Sequence, residues 1–320
     1  MFNPRSGAGD QAQSHARVAA VLEAAARPHR FVAIERPEAI GELARTLGER
    51  ACDSDGMVVA AGGDGTINAV VQGLIGSGCR FGVLPMGTFN YFARNHRIPL
   101  EPEGAARILI TGAVRPVQVG TVNHRVFLVN ASLGLYPRLL EQREQAKRQF
   151  GRSRLVALLS ALFSLLVERG RLRLQLHVEG IRDDVETSTL FVGNNPLQLA
   201  QLGLPSDLQP PAAAADAQAD PQQHGRLTAI MLRPVGTLEM IGLMAHGALG
   251  TLGEAPSVQH FRCTRLTVHL SPYQLGRRRV KVALDGEVTR MSGPLEFRVL
   301  ETPLQLLACD NQPDSSGGGG

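Results

Sequence analysis

The stretch that most limits what this chain can become is Met57-Val58-Val59-Ala60-Ala61-Gly62-Gly63-Asp64-Gly65-Thr66-Ile67-Asn68. Its first five residues are uncharged and largely apolar, which reads as a buried strand. A glycine-rich turn follows. Ile67, Val70, Val71 and Leu74 then recur at the spacing of one helix face. A strand, a glycine turn and a helix in that order place a helix N-terminus beside a ligand, where free N–H groups and the positive end of the helix dipole attract anions. Gly62, Gly63 and Gly65 let the backbone approach a phosphate without intervening Cβ atoms. Thr66 suits an N-cap or a phosphate-binding hydroxyl. Asp64 needs its own reason, because a carboxylate in a phosphate cradle repels the ligand. It points either to Mg²⁺ between the two or to a structural hydrogen bond to the turn. A Walker loop is excluded because no Gly-Lys-Ser/Thr follows. A Rossmann fingerprint is weak, since Asn68 holds the third glycine position.

A second unit of the same kind follows. Phe81–Pro85 reads as a strand, Met86-Gly87 as a turn, and Thr88–Arg94 as the start of a helix. Parallel strands align their C-terminal ends, so the two polar turns are expected to share one cleft. Asn3-Pro4-Arg5-Ser6-Gly7, then Gly62–Asn68, then Leu84-Pro85-Met86-Gly87-Thr88-Phe89-Asn90 resemble, in this order, the catalytic domain of the diacylglycerol kinase family. That family includes sphingosine and ceramide kinases and bacterial lipid kinases. The resemblance is strong over about residues 1–115 and weak over most of the remainder. It implies a phosphotransferase that uses ATP and Mg²⁺ to phosphorylate a hydroxyl of a membrane lipid. It further implies that Asn3, Gly62, Gly63, Asp64, Gly65, Thr66, Ile67, Asn68, Gly87, Thr88 and Asn90 bind the nucleotide.

The last stretch with chemistry in it is Val280–Glu287. Alternating apolar residues make a strand, and Asp285-Gly286 is a strong type I′ hairpin signal. The functional alternative is a carboxylate pair, Asp285 and Glu287, at a strand end. The family carries a similar Asp-Gly-Glu late in its second domain, and its glutamate is the implied proton acceptor. The resemblance therefore assigns catalysis to Glu287 and Asp285, and the metal to Asp64 and Asp285. Asn194-Asn195 resembles a family position on the substrate side. Two departures stand out. Tyr91 occupies a place where many bacterial members have Asp; sphingosine-type members also lack that Asp, so the change does not forbid activity but leaves the acceptor lipid open. His224-Gly225-Arg226 stands where bacterial members support a structural Mg²⁺ through Asp-Gly, and His and Arg are poor hard-cation ligands, so that metal is expected to be absent.

The rest of the chain is consistent with a two-domain enzyme. The 320 residues suffice for about two cores. A net charge of +4 suits nucleotides and anionic membrane surfaces but is too small to argue for nucleic acid. Cys52, Cys79, Cys263 and Cys309 are scattered without a CxxC pair, which argues against a zinc site or a disulfide frame. The N-terminus lacks an apolar signal core, so a cytoplasmic location is expected, with peripheral contact at the inner membrane face. Ser14–Ala26, Pro37–Arg50 and Pro102–Thr111 read as helices and Phe31–Ile34 as a strand. The family's strand before the Asn-Pro turn is expected to be missing, as only Met1-Phe2 precede it.

This rhythm predicts an α/β three-layer domain over residues 1–117. Beyond it, Leu172–Val178, Thr187–Val192, Leu227–Leu232, Leu266–Leu270, Val280–Leu284 and Leu295–Val299 read as strands. They predict a mainly antiparallel β-sandwich over 118–310, with 311–320 as a flexible tail. Leu155–Val167 is uncharged, flanked by Arg148, Arg152, Arg154, Arg169, Arg171 and Arg173, and too short for a bilayer span of about 20 residues. It reads as a buried helix or as an interfacial element with arginines on lipid phosphates. Pro205–His224 reads as a polar loop. Two other functions compete with the lipid kinase: an NAD kinase, which also carries a GGDGT turn, and a non-catalytic homologue that binds nucleotide or lipid.

Overall fold

The computed structural model describes residues 1–2, 11–134, 171–194, 225–236, 255–270 and 279–309, together with the single helical positions 137, 239, 242 and 246. The Asn3–Gly7 motif, Leu155–Val167 with its first four flanking arginines, Asn195, the Pro205–His224 loop and the tail lie outside these residues. Two compact units form, dividing after Val117, and the chain from Glu301 onward belongs to the first.

The first unit is α/β. Its sheet contains β1 (Met57–Gly62), β2 (Arg80–Pro85) and β3 (Ala113–Val117), completed by β16 (Leu304–Ala308) in the order β1-β2-β16-β3. β1 and β2 are parallel, with Gly62 opposite Pro85, so both glycine turns leave the same sheet edge. Helix α2 (Ile40–Asp53) packs with α3 (Asp64–Leu74), and α1 (Gln11–Ala24) with α5 (Pro102–Thr111). α3 turns Ile67, Val70 and Val71 fully inward, as its apolar spacing requires.

Two expectations are corrected here. Residues 301–309 do not continue the second domain: β16 lies parallel to β2 and antiparallel to β3. Its run Leu304–Ala308 is largely buried, which is what a strand inside a covered α/β sheet needs. Phe31–Ile34 is not a full strand either, and only Ala33 bridges, to Phe2. Phe2 also bridges Ala61, so Met1-Phe2 lie between Ala33 and β1. The amide of Phe2 donates to Val32, and the amide of Ile34 to Phe2. The terminal amine donates to the carbonyl of Val59 at 2.7 Å, and burial lowers its pKa to about 6.

The second unit is a β-sandwich. One six-stranded sheet runs β5 (Arg125–Phe127), β4 (Gly120–Val122), β15 (Leu295–Val299), β12 (Arg265–Leu270), β7 (Leu172–Val178), β8 (Ile181–Thr187). The other runs β11 (Val258–Cys263), β10 (Leu227–Leu232), β9 (Thr189–Gly193), β6 (Asn130–Gly134), β13 (Val280–Leu284), β14 (Glu287–Met291). One core joins their inner faces: Leu174, Leu266 and Phe297 from the first meet Leu133, Leu190 and Val282 from the second. Burying each such side chain contributes about 1.5–3 kcal/mol. Among the described residues, no helix is long and apolar enough to cross a membrane.

Candidate active site

The site begins with the two glycine turns, which are packed against each other. A Cβ on Gly87 would stand 2.5 Å from the Cα of Gly63, and one on Gly63 would stand 3.1 Å from the Cα of Gly87. Only residues without side chains allow this approach. Gly63 is the N-cap of α3, in extended conformation, and the amide of Ile67 makes the first helical bond to its carbonyl at 3.0 Å. Asp64, Gly65 and Thr66 thus form the first turn, whose amides have no intrahelical acceptor. Thr66 is therefore not the N-cap. Its side chain is buried against Gly62, where a Cβ would come within 2.6 Å of it.

Asp64 joins the two turns. Its Oδ2 accepts from the amide of Tyr91 at 3.2 Å and its Oδ1 from the amide of Phe92 at 3.1 Å, which caps α4 (Tyr91–Asn95) from outside the helix. Of the two roles the sequence left open, the structural hydrogen bond is present, but its donors are in the second turn rather than in its own. Asn90 builds that second turn: the amide of Gly87 donates to its Oδ1 at 2.9 Å, and its Nδ2 donates to the carbonyl of Gly87 at 3.0 Å. Asn90 has φ 51° and is buried, so it shapes the backbone around Gly87. Thr88 and Phe89 are exposed at the tip, and the Phe89 ring stacks on Tyr91 at 5.7 Å. Ile67 is core, and Gly65 and Asn68 are half-buried beside the turn.

His96 closes α4. Its ring packs on Phe92 at 4.5 Å, and its Nδ1 has no hydrogen-bond partner among the described residues. Burial pushes its pKa down to about 3. The folded state therefore keeps the ring neutral, and the unfolded chain binds the extra proton between pH 6.5 and about 3. Stability is full above 6.5 and falls as the pH drops through that window. His96→Leu should flatten this limb, with the loss between pH 7 and pH 4 smaller than in the parent by roughly 3 kcal/mol. Urea titrations of both proteins at the two pH values check it, and parallel losses would contradict it.

The late carboxylates belong to the second unit. Asp285 and Gly286 form the two-residue hairpin between β13 and β14, with φ 46° and 91°. The hairpin reading is thus realised, and Asp285 has a further task. Its carboxylate accepts from the amides of Leu128 and Val129 at 2.8 Å and Asn130 at 2.9 Å, and its own amide donates to the carbonyl of Asn130. Sequence reasoning missed this anchor, because its donors lie some 155–157 residues earlier. Glu287 follows at the start of β14, exposed and opposite Leu284. Asn194 is buried. Its Nδ2 donates to the carbonyls of Gln118 and Leu128, and its Oδ1 accepts from Gln118 at 2.7 Å. This network holds the sandwich together locally, with Gly225 donating to Gln118.

The donor set decides where Mg²⁺ fits. A carboxylate offers about four lone-pair sites. Asp64 spends two on amides and can still give one oxygen to a cation, which suits an ion that binds through one or two carboxylates plus substrate phosphates. Asp285 spends three on amides, which suits an anchor better than a ligand.

The family model for the diacylglycerol kinase catalytic domain matches residues 1–122. A diacylglycerol kinase of Staphylococcus epidermidis is 42% identical over 89 residues, covering 27% of this chain and 28% of that protein. The diacylglycerol kinase of Bacillus subtilis is 43% identical over 91 residues, covering 28% and 30%. These matches therefore span under a third of the relatives' length. A crystal structure of a Bacillus anthracis protein considered a diacylglycerol kinase superposes with a TM-score of 0.71, covering 96% of this chain and 93% of that one. At 17% sequence identity, this superposition shows a shared fold. Over residues 1–122, the chain is similar to the catalytic domain of the diacylglycerol kinase family.

Proposed function

We propose that this protein is an ATP-dependent lipid kinase. The observation that carries the reading is the contact of Gly63 with Gly87 at the ends of two parallel strands, in a domain similar to that of a kinase family. The first-turn amides of α3 and the backbone at Gly87 take the ATP phosphates, with Thr88 at the rim. Asp64 holds the two turns at fixed separation and would give one oxygen to Mg²⁺. When bound, that ion neutralises charge on the phosphates. The second unit carries the lipid side of the reaction. Glu287 accepts the proton of the lipid hydroxyl as its oxygen bonds to the γ-phosphorus, while the bond to the β-phosphate oxygen breaks and ADP leaves. Positioning supplies most of the rate, because the transition state is loose.

The acceptor is a membrane lipid, diacylglycerol-like or related. The net charge of +4 and the sequence pI of about 9.2 favour work at an anionic surface, on the inner membrane face. The test is incubation with γ-labelled ATP, Mg²⁺ and a panel of lipids with a free hydroxyl, alongside NAD. Label is expected in a lipid. Label in NAD, or hydrolysis without any acceptor, would overturn the reading.

A further inference from the structure

A pair of cysteines lies at the base of the first unit's sheet. Cys52 is exposed in the last turn of α2, and Cys79 is buried directly before β2. The two cysteines are neighbours across the Ser77 turn, and the Cys79 thiol donates to the carbonyl of Arg80 at 3.4 Å. Ser77 ties down both residues: the Cys52 thiol donates to its carbonyl at 3.5 Å, and the Cys79 amide donates to its hydroxyl at 3.1 Å. The Ser77 hydroxyl itself donates to the carbonyl of Leu74 at 2.7 Å, at the end of α3. Both cysteines are free thiols. Packing explains Cys79, since a buried Cys behaves as a small hydrophobe. It does not explain an exposed Cys52 set against it.

We propose that Cys52 and Cys79 form a dithiol–disulfide couple, oxidised by low-molecular-weight disulfides, that closes a covalent loop around β1, the first glycine turn and α3. Exposed Cys52 reacts first. Its thiolate attacks one sulfur of the small disulfide, that S–S bond breaks, and one small thiolate leaves. Cys79 then gives its proton to water and attacks the Cys52 sulfur, expelling the second small thiol. Two protein thiols are oxidised and one small disulfide is reduced to two thiols. Burial, with Cys52 beside it as the next cause, holds the Cys79 thiol up to about 11, so closure is slow near neutral pH. The loop of about 28 residues is long enough for the bond to constrain the unfolded chain appreciably.

The inference does not depend on the kinase reading. The full chain is incubated with oxidised glutathione, alkylated and mapped by mass spectrometry, and its melting temperature is read before and after. A peptide joining Cys52 to Cys79 is expected, with a rise of about 5–10 °C that dithiothreitol reverses. Cys52→Ser, a surface change, should fold like the parent and lose both effects. A glutathione adduct that stays on Cys52, a bond to Cys263 or Cys309 instead, or the same rise in Cys52→Ser would each overturn the proposal. A Cys52–Cys79 bond with no rise would overturn the constraint on the loop.

Discussion

Asp285→Ala should destabilise the β-sandwich by roughly 3–5 kcal/mol even with no metal present. The carboxylate accepts from Leu128, Val129 and Asn130, residues that are 3%, 3% and 2% exposed. Removing it strands three buried donors at once, and each lost partner costs about 1–3 kcal/mol before any relaxation. Alanine is also less tolerant than aspartate of the turn's φ of 46°. Asp285→Asn should fall between the two, since it keeps an oxygen for Val129 and Asn130 and turns an amide toward Leu128. Urea unfolding in excess chelator is the deciding measurement. A residue that only bound metal would lose nothing there, because removing an unpaired carboxylate leaves apo stability unchanged or improved. Parent-like stability of Asp285→Ala in chelator would end the anchor assignment.

What could be read in the sequence depended on how far the partners lay along the chain. The glycine turn after β1 was legible because its strand, glycines and helix face are contiguous, and so was α5 over Pro102–Thr111. Asp64 was legible as an anomaly but not as a cap on α4, whose amides lie 27 and 28 residues on. β8 was missed because Ile181–Glu186 is a solvent-facing edge strand, polar almost throughout, and edge strands need no apolar alternation. β16 was not among the strands read from the sequence, and nothing local says which sheet it joins. Asp285-Gly286 carried two signals at once. The hairpin was the local one, and the carboxylate's grip on Leu128–Asn130 needed the fold.

Glu287→Gln should leave the fold and Mg-ATP binding nearly unchanged and slow single-turnover lipid phosphorylation by about 10²–10⁴-fold. Glutamine keeps the shape of the side chain and cannot accept the proton. Glu287 is exposed at the first position of β14, and the hairpin is set by Asp285 and Gly286, so the neutral isostere has little to disturb structurally. The phosphate contacts assigned to the glycine turns do not involve it. Calorimetry of Mg-ATP binding, run beside a single-turnover assay, separates three outcomes. A lower rate with parental ATP affinity assigns proton acceptance to Glu287. Equal losses of rate and ATP affinity assign it to the metal instead. A near-parental rate leaves Glu287 as a hairpin residue, and the proton then goes to another base or directly to water. The contrast with Asp285 makes the assignment sharp: two carboxylates separated by a single glycine should divide between them stability without metal and rate without loss of stability.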